Sequence, residues 1–142
     1  MVYLDTSALL KLLWAELESA AVAAHVAAED VVLVSALAEL EAEVQLKSAW
    51  LAGRYRAAAW RAFRAKLAEL RHTEPFAFRP LPTSLFETAR QHQDRSGRVH
   101  CRTLDRLHLA AMEELRATRL MTHDATQAQA ARALGFEVVT PR

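Results

Sequence analysis

Val2-Tyr3-Leu4-Asp5-Thr6-Ser7-Ala8-Leu9-Leu10-Lys11 opens the chain with a β-prone run, three side chains able to cap a helix, and an apolar segment continuing to about Trp14. The order is strand then helix, with a carboxylate at the junction. Downstream the same alternation returns. Ser19 to Ala28 is an alanine-rich helix, and Val31-Val32-Leu33-Val34 is a continuous apolar run of the kind covered on both faces in a parallel sheet. Ser35 can cap the next helix, which runs to about Ala52 with Gly53 as its stop, and a basic helix spans about Arg54 to Arg71. Phe76 to Pro82 reads as a strand with Pro80 confined to its end or edge. Thr83 to Gln93 is helical, Asp94 to Arg102 is a loop, and a further helix covers about Leu104 to Ala117. Arg119 to Thr122 is a short strand, Asp124 to Leu134 a helix closed by Gly135, and Phe136 to Val139 a last strand. Strands alternating with helices predict one α/β domain over residues 1–142, its parallel sheet flanked by helices on both faces. No repeat, low-complexity tract or linker divides it.

Composition agrees with a single core. A chain of 142 residues buries one sizeable interior, and its 29 alanines raise the hydrophobic share to 52% while favouring helix over bulk. One cysteine rules out a disulfide framework and a multi-cysteine zinc site, so a reducing, cytoplasmic setting is expected. No apolar run reaches the ~18 residues of a membrane span, and Met1 leads directly into a strand, which argues against a signal peptide. The net charge of +1 argues against nucleic acid only as a sum. Residues 1–46 hold eight acids and Lys11 as their only base, whereas residues 47–72 hold seven bases and Glu69 as their only acid. An acidic site beside a basic surface would give this pattern, as would two solvated helix faces of opposite sign.

Ligands in open parallel sheets gather outside the carboxyl ends of the strands, and four acids can reach that edge. Asp5 directly follows the first strand and Asp124 follows the fourth, where each can also serve as a helix N-cap. Glu41 falls inside a stripe of Leu37, Leu40, Val44 and Leu51, between Leu37 and Val44, that is expected to be the buried face of its helix; Glu39 and Glu43 project to the far side. A carboxylate on an apolar face either snorkels out, meets an arginine or binds a cation. Asp105 lies near the start of its helix, as a first-turn acid or as a fourth member of the site, with His108 one turn on as a structural residue or its partner. Four converging carboxylates cannot all stay ionised without a cation. Oxygen-only ligands select Mg²⁺ or Mn²⁺, and such a metal suits phosphoryl chemistry.

In these positions the chain resembles the PIN-domain ribonucleases, most closely their VapC-type toxin branch. The segment Val2 to Lys11 looks like the family's first strand with its Asp-Thr-Ser start. Ser35 followed six residues later by Glu41 matches the second motif, Asp105-Arg106-Leu107-His108-Leu109-Ala110 the third, and Leu120-Met121-Thr122-His123-Asp124 the fourth. The similarity spans nearly the whole chain in order. It implies a parallel five-stranded sheet, an Mg²⁺- or Mn²⁺-dependent endoribonuclease acting as the toxin of a toxin-antitoxin pair, homodimerisation, and a small antitoxin protein as inhibitory partner. Ala125, Thr126 and Gln127 offer no further acid after Asp124, a departure from some relatives.

The expected chemistry is therefore metal-assisted hydrolysis of RNA. Asp5, Glu41 and Asp105 would hold the metal, Asp124 would complete its surroundings or orient the attacking water, and Ser7 and Thr122 would support those ligands. Arg95, Arg98 and Arg102, in the loop before Asp105, are the preferred RNA contacts; the basic helix with Tyr55, Trp60 and Phe63 is expected to pack inward or against another chain. The competing expectation is an inactive PIN-like protein-interaction module whose acids are only caps and surface charges.

Overall fold

The computed structural model describes residues 1–142. Five strands, β1 (Val2–Leu4), β2 (Val32–Ser35), β3 (Phe76–Arg79), β4 (Arg119–Met121) and β5 (Glu137–Val139), form one sheet in the order β3-β2-β1-β4-β5. Every pairing is parallel. The alternation of side chains along a strand then divides the interior in two. Val2 and Leu4 of β1, with Val32 and Val34 of β2, face α1 (Thr6–Leu13), α2 (Ser19–Ala27), α3 (Ala36–Leu51) and α4 (Ala57–Leu70). Tyr3, Leu33 and Leu120 point the other way, against α5 (Leu85–Arg95), α6 (Thr103–Glu114) and α7 (Ala125–Ala133). The expected α/β sheet with both faces covered is the observed one.

Several details depart from the sequence reading. Pro80 lies just past β3, which stops at Arg79. α5 continues to Arg95, so the loop before Asp105 is shorter than the unpatterned stretch suggested, and Arg95 belongs to a helix. The largest correction concerns α3. Its buried face is Ala38, Ala42, Leu46 and Ala49, whereas Leu40, Val44 and Leu51 are 58%, 59% and 68% exposed. The helix lies close against its neighbours through small side chains, and the bulky stripe faces outward. α4 starts only at Ala57, after the expected Arg54, and the aromatic residues in and just before it do pack inward: Tyr55 stacks on Trp14 with Phe63 at their edges, and Trp60 stacks on Trp50 at 4.1 Å.

The sheet order places a topological switch point at β1, because β2 and β4 leave it on opposite sides. A crevice beyond the carboxyl end of β1 is where this architecture puts a ligand.

Candidate active site

Asp5 is the first residue beyond β1 and caps α1: its Oδ1 accepts from the Ala8 backbone N–H at 2.9 Å and from Ser7 Oγ at 2.7 Å. Its Oδ2 accepts from the Thr122 hydroxyl. Thr122, just beyond β4, in turn accepts from the Asp124 N–H at 3.0 Å, and Ser7 accepts from the His123 N–H at 2.9 Å. These bonds tie the end of β1 to the end of β4. Asp124 caps α7 with Oδ1, which accepts from the Gln127 N–H at 3.0 Å. Both aspartates are thus helix caps that leave a second carboxylate oxygen for other partners, since a cap uses only one.

Asp5, Glu41, Asp105 and Asp124 line a single cavity of about 120 Å³ that contains no hydrophobic lining residue. Four separate elements deliver them: the end of β1, α3, α6 and the end of β4. Asp5 is 2% exposed and Asp105 is 6% exposed. Burial pushes the Asp5 carboxyl above its usual range, against the hydrogen bonds from Thr122, Ala8 and Ser7 that pull it down.

His108 contacts Glu41 and not Asp105. Its Nε2 lies 2.6 Å from Glu41 Oε2, its Nδ1 lies 2.8 Å from Tyr3 Oη, and Tyr3 Oη lies 2.7 Å from Ser35 Oγ. Thr6 Oγ1 donates to the same Glu41 oxygen at 2.5 Å. Burial alone would raise the Glu41 carboxyl, but the His108 and Thr6 bonds outweigh it and hold the group below the usual carboxylate range. Glu41 is therefore an ionised acceptor, and His108 Nε2 carries the hydrogen between them. Burial drives the Tyr3 phenol far above its usual range, leaving it a neutral link in the chain Ser35–Tyr3–His108–Glu41. Tyr3 and Thr6 were missed from sequence. The one available signal was a polar tip and a hydroxyl flanking Asp5 in an otherwise apolar run.

The cations among the carboxylates belong to the chain. Arg102 Nε donates to Asp105 Oδ2 at 3.1 Å, and its Nη2 lies 3.6 Å from Asp124 Oδ2. The hydrogen bond to Asp105 and the fields of Asp105 and Asp124 raise the Arg102 guanidinium above its usual value. Of the three expected RNA-facing arginines, only Arg102 lines the cavity. Arg95 is spent on Glu113 at 2.8 Å, and Arg98 makes neither a hydrogen bond nor an ion pair. Gln127 also lines the cavity, 2% exposed, and its Nε2 has no hydrogen-bond partner, which leaves a neutral donor there.

The donor set fits a hard divalent cation in chemistry: four carboxylates, hydroxyls behind them and no thiol among the lining residues. In the conformation seen, no three acidic or histidine side chains stand close enough together to hold an ion. The reason is local. Asp5 and Glu41 are turned toward their hydroxyl and histidine partners, and Arg102 holds Asp105 and reaches Asp124.

An acidic crevice at the switch point of a parallel α/β sheet, filled from four elements in this order, defines a class. The chain belongs to the PIN domain family, whose model matches residues 2–133. In fold it is similar to VapC20 of Mycobacterium tuberculosis, a sarcin-ricin-loop-cleaving toxin, with a TM-score of 0.73 and 19% identity over 99% of this chain and 100% of that one. FitAcB from Neisseria gonorrhoeae is similar with a TM-score of 0.70 and 16% identity, covering 99% of this chain and 98% of that one. No curated protein matches the chain at a significant level.

Proposed function

We propose that the chain is a metal-dependent endoribonuclease that hydrolyses RNA phosphodiester bonds as the toxin of a toxin-antitoxin pair. The observation that carries this reading is the convergence of Asp5, Glu41, Asp105 and Asp124 on one cavity without an apolar lining residue. Asp5 and Asp105 are deeply buried, at a cost that hydrogen bonds from Ser7, Ala8 and Thr122 and the ion pair with Arg102 offset here and that a bound cation would offset in their place.

Asp5, Glu41 and Asp105 would hold Mg²⁺ or Mn²⁺, with Asp124 completing the set. The bound ion would polarise the phosphate and lower the pKa of the attacking water. The chain's own residues supply the rest. Ser7 and Thr122 fix the Asp5 carboxylate, and His108 and Thr6 fix Glu41. Asp124 stands where it can orient a water, and the free N–H of Gln127 can donate to a phosphate oxygen. Arg102 must release Asp105 and Asp124 before the carboxylates can serve a metal.

A small antitoxin protein is the proposed inhibitor, for which a groove of about 920 Å³ bounded by Leu13, Trp14, Val26, Phe63 and Phe76 offers an apolar seat. A homodimer would cover the exposed Leu40, Val44 and Leu51 of α3. No helix is long and apolar enough to cross a membrane, and the proposed substrate implies cytoplasmic action. The deciding experiment incubates total RNA with the protein in Mg²⁺ or Mn²⁺, with and without chelator, and maps new ends. Cleavage by the wild-type chain and none by folded Asp5→Asn is expected; cleavage that survives the substitution overturns the reading.

A further inference from the structure

A second cavity of about 610 Å³ adjoins the acidic one and shares Arg102 with it. It is built by α5, the α5–α6 loop and the first turn of α6. Its charge is the reverse of its neighbour's: Arg90, Arg102 and Arg106 line it with His100, and no acid does. Arg106 is the unusual member. It is only 7% exposed, its Nη2 donates only to the neutral Ser96 hydroxyl at 3.2 Å, and its Nη1 has no partner. No carboxylate lies within ion-pair distance of it. A buried guanidinium without a counter-charge is costly, and an anion relieves that cost. At the rim stands Phe86, 64% exposed, an aromatic ring left to solvent beside the cationic floor. Arg90 beside it is also open, with only a loose contact to Glu87 at 3.9 Å.

We propose that this cavity is the nucleotide subsite next to the scissile phosphate: Arg106 and Arg90 take a backbone phosphate of single-stranded RNA, and Phe86 stacks on a base. The assignment rests on the nuclease reading, which it extends to substrate positioning. The volume suits one nucleotide, and a phosphate held here places the chain of the substrate across Arg102 and onto the carboxylates. The cavity on the opposite side of the acids, about 470 Å³ and reached through Ser7 and Gln45, is a weaker candidate. Its Lys11 is already held by Glu16 at 2.6 Å and Glu18 at 2.8 Å, and its Arg54 lies over the rings of Trp14 and Tyr55.

The test measures anisotropy of a short fluorescein-labelled single-stranded RNA with the full-length Asp5→Asn protein in Mg²⁺, alongside cleavage in the wild-type background. Phe86→Ala should weaken binding by roughly 5- to 150-fold without changing its salt dependence, and Phe86→Trp should restore it. Arg90→Ala should weaken binding and flatten the slope of log K against log salt by about 0.7. Arg106→Gln should do the same if folded; Phe86 and Arg90 are exposed, so their variants decide the matter whether or not it folds. If the wild-type chain cuts RNA yet Phe86→Ala and Arg90→Ala bind like their parent, the subsite alone is overturned. If the wild-type chain cuts nothing, the nuclease reading falls while the anisotropy series still decides the cavity. Equal displacement of the RNA by polyglutamate, with Phe86→Ala silent, would mark an acidic-peptide site and overturn the proposal.

Discussion

At the scale of single residues, Asp5 carries two duties that a conservative substitution separates. Asparagine caps helices as well as aspartate does, so Asp5→Asn keeps the bond to the Ala8 N–H while removing the charge. The Asp5 carboxyl is raised above its usual 3.8 by burial, so the folded state prefers the proton and the ionised group costs stability as pH rises through the folded value. In metal-free calorimetry Asp5→Asn should therefore melt at or above the wild type near neutral pH, with the gap closing as pH falls through the folded value and gone below 3.8. Divalent ion should raise the wild-type melting temperature and leave the variant's unchanged. Arg102 gives the complementary expectation. Its side chain is 77% exposed, so its ion pairs add little stability, yet it competes for the same oxygens. Arg102→Ala should melt slightly lower without metal and bind Mn²⁺ more tightly in a calorimetric titration; unchanged Mn²⁺ affinity would remove Arg102 from that competition. The four acids were legible because each stands beside a recognisable strand end or helix start. The partners were not: Tyr3 and His108 are 105 positions apart, and only the β1–α6 packing brings them together. Arg102 could be named as a candidate but not set between Asp105 and Asp124, because the loop that aims it has no periodic pattern.

At the scale of elements, α3 shows where a pattern of bulk misleads. Leu37, Leu40, Val44 and Leu51 mark a helical stripe, and size alone makes it the natural core face. The helix instead packs through Ala38 and Ala42, both 0% exposed, with Leu46 and Ala49 further along the same face. Glu41 is positioned by that close approach, one residue from Ala42 and level with Thr6 and His108. Glu41 was singled out for a partly mistaken reason: it borders the buried alanine face and not a leucine one. Ala42→Leu should cost ~1–3 kcal/mol in urea denaturation by overpacking, and should lower cleavage further by moving Glu41. Leu40→Ser, on the exposed side, should change stability by no more than about 0.5 kcal/mol. Equal losses for the two would contradict the observed orientation of α3.

At the scale of the whole molecule, the acidic cavity and the fastening lie at opposite ends of the sheet. The parallel sheet was legible in outline because short apolar runs alternate with helices, whereas the order of its strands was not. The fastening at the amino-terminal edge left no motif. There Glu29, between α2 and β2, accepts from Arg119 Nη1 at 2.6 Å and meets the chain's amino terminus at 3.2 Å. One carboxylate thus joins the starts of β1 and β4, and sequence could not show it because ion pairs across a sheet follow from register, not from spacing. Burial would raise the Glu29 carboxyl, but Arg119 and the amino terminus outweigh it and hold the group below its usual 4.5. The depressed value means that the pairing stabilises the fold above pH 4.5 and ceases to do so as pH falls through the folded value. Glu29→Gln should consequently melt below the wild type at neutral pH, with the difference shrinking on acidification past that point, while RNA cleavage at a temperature where both are folded stays the same. A melting difference independent of pH would show that the clamp acts through packing and not charge. A loss of cleavage in the folded variant would show that the two ends of the sheet are coupled.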